Sequence, residues 1–245
     1  MERLLYRLAD GPAVLMWGCL ATAAALAWFY LAAADGGVVA ALCSAREASP
    51  GAILAMWLAM AFAMMLPSAA PMIAAYMDIA AAARAKSIAA VPVLVLVSGY
   101  IAVWIGFSLC AAALQFAMQG LTANRFLQAG LLILAGLYQF APLKHACLTK
   151  CRRPMPYFLA RWSDLTSAVF RMGLEQGALC LGCCWALMLL ALGAGAMNLA
   201  WMAALTILMI LEKTLPQPKA LVYGLGIGLS AAGVALAIGG TSWPS

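Results

Sequence analysis

The stretch "GALCLGCCWALMLLALGAGAMNLAWMAALTILMIL", Gly177 to Leu211, contains no charged residue. A membrane crossing needs about 20 apolar residues. The run is too long for one crossing and too apolar for the surface of a soluble domain. The sequence "GAG" at Gly193–Gly195 offers a turn, so the stretch reads as a helical hairpin of two spans, 177–194 and 197–212.

The same pattern recurs on both sides of it. Further apolar runs cover 11–34, 52–77, 89–119, 126–142 and 220–240. The chain has 245 residues, of which 67% are hydrophobic and 9% charged, a balance that excludes an ordinary soluble domain. The expected fold is all-α, a polytopic transmembrane helical bundle of about seven spans forming a single membrane domain over 1–245. The first run lacks a clear cleavage site before its acidic exit and reads as a span, not a removable signal. No internal repeat and no second, soluble domain is visible.

Lysine and arginine orient the bundle. With the N-terminus inside, the inner segments hold Arg3, Arg7, Arg84, Lys86, Lys144, Lys150, Arg152, Arg153, Arg161, Arg171, Lys213 and Lys219, and the outer segments hold only Arg46 and Arg125. Such a bias sets orientation under the positive-inside rule. The net charge of +6 then reflects cytoplasmic loops and anionic lipid, and no nucleic-acid partner is expected. Between the fourth and fifth runs, 143–176 reads as a cytoplasmic loop. Its "MPYFLARWSDLTSAVFRMGLEQ" has the mixture of an amphipathic surface helix.

The polar chemistry is sulfur-based. There are eight cysteines, fifteen methionines, one histidine and only eight acidic residues, which disfavours oxygen-rich calcium, magnesium or di-iron sites. Cys180 and Cys184 share one helical face with Met188, and Cys183 lies one step around. Thiolates with thioethers select copper(I), with zinc or an iron–sulfur cluster possible where thiolates dominate. The competing reading is that small buried cysteines pack helices. In "PLKHACLTKCRRP", Cys147 and Cys151 share a face if the turn is helical, and the surrounding positive charge favours thiolate. Incidental cysteines in a basic loop are the alternative, and His145 reads as a ligand or as an ordinary loop residue.

In "MWLAMAFAMMLPSAAPM", Met56, Met60 and Met64 form a stripe, with Met65 and Met72 on an adjacent face. Pro67 and Pro71 then break the helix and free the carbonyls near Ala63 and Pro67, and within a membrane those carbonyls need a partner. Glu212 and Lys213 either mark the end of a span or pair inside the bundle. The topology brings all these groups to the inner membrane level, where thiols are kept reduced. Cys19, Cys43 and Cys110 have no partner by spacing, and Cys19 and Cys110 read as packing residues.

These motifs carry a resemblance. "MW..M..AMM.PS..PM" at Met56–Met72, "YQ..PLK..CL..CR.P" at Tyr138–Pro154, "C.GCCW.LM" at Cys180–Met188, "G.MN..WM" at Gly195–Met202 and "EK" at Glu212–Lys213 resemble the bacterial family of predicted metal-binding integral membrane proteins, catalogued as a domain of unknown function. The similarity covers roughly 52–215. It implies metal binding and a multi-pass protein of the bacterial inner membrane, without naming the metal or the reaction.

The expected site is therefore cytoplasmic-side and soft: Cys147, Cys151, Cys180, Cys183 and Cys184 as primary ligands, with Met64, Met65 and Met72 as secondary or relay ligands. Transport, delivery to another membrane protein or a metallochaperone, sensing and homeostasis all fit, and no catalytic residue is assigned. The rivals are a thiol oxidoreductase using Cys180 and Cys183, disfavoured by inward-facing thiols, and a structural or assembly subunit without metal.

Overall fold

The computed structural model describes residues 11–35, 49–118, 124–193, 199–215 and 219–239. These residues form ten helices: α1 Gly11–Asp35, α2 Pro50–Ser68, α3 Ala70–Ala85, α4 Val93–Ala117, α5 Arg125–Tyr138, α6 Pro142–Arg152, α7 Pro154–Ala160, α8 Thr166–Gly193, α9 Leu199–Thr214 and α10 Lys219–Gly239. No strand occurs among the described residues. Five helices, α1, α2, α4, α8 and α10, are long and apolar enough to cross a membrane. The α5–α6 pair, bent by 63°, raises this to six if it forms one broken span. The expected sixth run, 197–212, is α9, whose 16 residues fall short of a typical span. Arg3, Arg7, Cys43, Arg46, Gly195 and Asn198 lie outside the described residues.

Two stretches subdivide, the first where the two prolines of the sequence reading break it and the second against that reading. The run 52–77 splits after Ser68, because Pro67 and Pro71 each withhold a backbone N–H from the ladder. The freed Ala63 carbonyl accepts from the Trp28 indole at 3.1 Å, which ties α1 to the break. The stretch 143–176 resolves into α6, α7 and the first turns of α8, which begins at Thr166 and not near 177.

Close helix crossings set the framework. A Cβ on Gly173 would lie 2.1 Å from the Leu96 carbonyl oxygen, and one on Gly99 would lie 2.3 Å from that of Phe170. Only glycine allows α4 and α8 to approach so closely. Gly177, one turn further along α8, faces Val103 and the Tyr100 carbonyl. The same crossing therefore carries Tyr100 of α4 to the turn of α8 that holds Cys180. Methionines and large aromatics fill the core between the helices, with Trp57, Met60, Met64, Tyr76 and Trp104 fully buried. Cys19 and Cys110 are exposed, so neither packs inside this chain, contrary to the sequence reading.

Candidate metal centre

Helical spacing explains the first three thiols. Cys180, Cys183 and Cys184 follow one another at i, i+3 and i+4 in α8, so their side chains share one stripe of its surface. Their sulfurs all lie within 4.8 Å of one another, and all three residues are at most 3% exposed. The Cys183 and Cys184 thiols donate to the Cys180 carbonyl at 3.0 and 2.9 Å.

Three neighbouring helices complete the surroundings. From α2, the Met65 sulfur lies 3.8 Å from Cys184 Sγ. From α4, the Tyr100 hydroxyl hydrogen-bonds Cys180 Sγ at 3.1 Å and also donates to the Met65 carbonyl at 3.2 Å. From α9, the Lys213 ammonium donates to Cys180 Sγ at 3.1 Å and to Ser68 Oγ at 2.9 Å. Ser68 in turn donates to the Met65 carbonyl at 2.9 Å. The proline break of α2 thus ends against the thiols: the last turn before Pro71 supplies a sulfur, a hydroxyl and a shared carbonyl.

The helix α6 brings the remaining cysteines. Cys151, one turn beyond Cys147 on α6, is half-buried against the core. Cys147 is buried against α8, its sulfur 2.7 Å from where a Cβ on Gly182 would stand. The Tyr138 hydroxyl donates to the Gly182 carbonyl beside it, and the Tyr138 ring packs edge-on against Trp185. Met64 and Met72 are buried, but the methionine sulfur in contact with the thiols belongs to Met65. His145 packs its ring against Tyr223 of α10.

A second polar cluster holds α6 in place. Lys144, fully buried, donates to both Glu212 carboxylate oxygens at 3.1 and 2.9 Å and to Gln139. Glu212 is 2% exposed, so it is an interior residue and not a marker of the span end, and its partner is Lys144 and not Lys213. At the far end of α6, Arg152 donates to the Lys213 carbonyl at 3.2 Å and to that of Leu215. These are the open carbonyls of the α9 C-terminus, where a cation is favoured. Both ends of α6 are therefore fastened to the last turn of α9.

Tyr100 was not assigned by sequence reasoning, and its only signal is its place beside Gly99. Gln139, Lys144, Glu212 and Lys213 all stood within the motifs of the resemblance, yet without roles. Pairing of distant charges cannot be read from spacing along one chain.

The class defined here is an all-helical protein, rich in apolar helices, with a buried thiol cluster flanked by a thioether and an ammonium. A family model described as PpoB2, copper chaperone, matches residues 54–236, which include all eight expected ligand residues. The chain belongs to this copper chaperone family, and its function is copper-related. No curated protein and no solved structure matches the chain.

Proposed function

We propose that the protein binds copper(I) within a membrane bundle and holds it for delivery to another protein. The observation that carries this reading is the convergence of Cys180, Cys183 and Cys184 within 4.8 Å beside the Met65 sulfur, in a chain of a copper chaperone family. Metal–thiolate bonds of about 2.3 Å in a trigonal plane require sulfur separations near 4 Å. A small contraction of the cluster meets that requirement. Thiolates and a thioether suit copper(I), while zinc is the main competitor if the thioether is not used. Lys213 sets one positive charge against the negative charge that several thiolates bring to a monovalent ion.

The proposal extends to placement. The five long helices, the broken pair α5–α6 and α9 make seven crossings, within one membrane domain, 1–245, of the bacterial inner membrane. The N-terminus lies inside, by the charge bias, and the thiols lie at the cytoplasmic level. Lys144 and Lys213 point inward to Glu212 and Cys180, and the exposed Arg84, Lys86, Lys150 and Arg153 still favour the same orientation. Cys180, Cys183, Cys184 and Met65 form the holding set. Cys147 and Cys151 on α6, and the buried Met64 and Met72, are further candidate ligands.

Metal analysis of the reduced, detergent-purified chain tests the reading. Copper(I) is retained in preference to calcium or magnesium, and the paired change Cys180→Ser with Cys183→Ser removes most of it. Full copper retention by that pair, or none by the wild type, overturns the reading.

A further inference from the structure

Methionine is unevenly placed in the bundle. The apolar helices α4, α5 and α10 contain none. The helices α2, α8 and α9, which supply Ser68, Cys180 and Lys213, hold Met60, Met64, Met188 and Met209, each at most 2% exposed. Methionine fills gaps in any apolar core, yet here it gathers on helices that carry the contacts to the thiols. The Lys213 ammonium donates to both Ser68 Oγ and Cys180 Sγ, and this sets the three helices in register. Four residues before Lys213, on the same stripe of α9, stands Met209. Four and eight residues before Ser68, on one stripe of α2, stand Met64 and Met60. On α8, Cys184 follows Cys180 by four residues and Met188 by eight. The Met65–Cys184 contact lies before Ser68 on α2 and after Cys180 on α8, so these two helices run in opposite senses. Both α2 and α9 end at the Lys213 level, so every one of these steps, about 6 Å each, leads from there into the bundle. Side chains tilt toward the N-terminus of their helix. Met64 and Met209 therefore lean onward from the first step, and Met188 leans back from the second. None of the three helices places a charged side chain at this depth.

From this register we infer that the bundle has a second copper(I) site, made of thioethers alone, between Met188 of α8, Met209 of α9 and the Met60–Met64 stripe of α2. The inference deepens the copper-holding reading above and rests on it for the choice of metal. Thioether sulfur is soft and neutral, a donor set that suits copper(I) and offers little to zinc, calcium or magnesium. Each thiol that binds a metal must first give up a proton, whereas a thioether has none to lose. The site therefore takes copper(I) with its positive charge uncompensated and binds more weakly than the thiols. It fills after them, one to two helical turns further from the Lys213 level. Copper(I) stays monovalent, and each new bond uses a lone pair of a methionine sulfur.

Titration of the reduced, full-length protein with the acetonitrile complex of copper(I) tests the inference. Thiolate–copper(I) ultraviolet absorption follows the first site. In selenomethionine-labelled protein, copper–selenium scattering in the X-ray absorption spectrum follows the second. The thiolate absorption is expected to be complete at the first equivalent. The second equivalent then adds copper–selenium scattering, no thiolate absorption and no proton release. Met188→Leu with Met209→Leu keeps the volume of the core and is expected to abolish the second equivalent while the first binds as before. Met172→Leu, a buried change on α8 two turns on the other side of Cys180, is the matched control and keeps both. Cys180→Ser with Cys183→Ser removes the thiolate absorption and keeps the thioether-bound copper. Saturation at one equivalent overturns the second site, as does a second equivalent that survives the methionine pair, and both leave the copper-holding reading intact. Copper–selenium scattering without any thiolate absorption in the wild type overturns the holding reading and leaves the thioether site standing.

Discussion

The Lys213 ammonium bridges Cys180 Sγ at 3.1 Å and Ser68 Oγ at 2.9 Å. It joins the end of α9 to the thiols of α8 and to the proline break of α2. A lysine so placed orients its acceptor sulfur and offsets the charge of a thiolate–metal complex, as outer-shell partners of metal ligands do. Lys213→Met keeps the aliphatic stem and removes the charge. The expected outcome is a loss of copper(I) affinity by about 10- to 100-fold, read by competition with a copper(I) chelator, with little change in helical content. Lys213→Arg recovers part of the loss, because charge is kept while the donor geometry changes.

The Lys144–Glu212 pair predicts a different signature. Both residues are buried, so removing one partner strands a charge in the interior. Lys144→Met or Glu212→Gln alone is expected to destabilise the fold by about 3–5 kcal/mol. The double variant, in which neither charge remains, is expected to be more stable than either single one. Thermal unfolding in detergent gives the ranking, and a double variant at least as unstable as the sum of the singles sinks the assignment of the two as a compensated pair.

At the α4–α8 crossing, Gly173→Ala sets a methyl group against the Leu96 carbonyl. Backbone cannot yield cheaply there, so the helices must separate, at a cost of about 1–3 kcal/mol. Separation also draws Tyr100 away from Cys180, and copper affinity is expected to fall with stability. Gly130→Ala on α5, where the new methyl meets nothing within 4 Å, is the matched control and is expected to leave both quantities unchanged.

A pH prediction comes from the edge of α7. The Tyr157 hydroxyl donates to Glu175 Oε2 at 2.5 Å, and burial first, then the Glu175 carboxylate, push its phenol from the ordinary 10.0 up to about 12. The fold favours the neutral phenol. Its contribution is complete below pH 10 and is lost as pH rises toward about 12, because the unfolded chain gives up its proton first. Tyr157→Phe is therefore expected to be less stable than the wild type at neutral pH by about 1 kcal/mol. The gap should close across that alkaline window in paired unfolding measurements.

How much of this was legible in the sequence depends on range. The thiol stripe of α8 and the split at Pro67 and Pro71 follow from spacing and from proline chemistry, and both stand as read. The start of α8 at Thr166 was not legible, because Arg171 and Glu175 gave its first turns the look of a separate amphipathic surface helix. Arg171, Glu175 and Arg161 in fact satisfy one another along and beside the helix. The buried charges were misjudged for a related reason. Lys144 looked like part of a basic loop and Glu212 like the end of a span, since neither position reveals that α6 folds back onto α9. Tyr100 reaches Cys180 only because Gly99 and Gly173 let two helices touch, a relation between residues more than seventy positions apart in the chain.

The methionines offer the sharpest separation of copper from zinc. Met65 places its sulfur 3.8 Å from Cys184 Sγ, whereas Met64 and Met72 are buried without such a contact. Replacement by leucine preserves volume, so each change costs less than about 1.5 kcal/mol in stability and isolates the loss of the sulfur. A copper(I) site that uses the thioether loses affinity in Met65→Leu and keeps it in Met64→Leu and Met72→Leu. A zinc site built on thiolates alone ignores all three and responds only to cysteine changes. The expected order of copper loss is Cys180→Ser with Cys183→Ser above Met65→Leu, and Met65→Leu above the other two methionine variants. Competition titrations with both metals supply that order. Equal, small effects of all three methionine changes on copper(I) would remove Met65 from the holding set and leave a site of thiolates only.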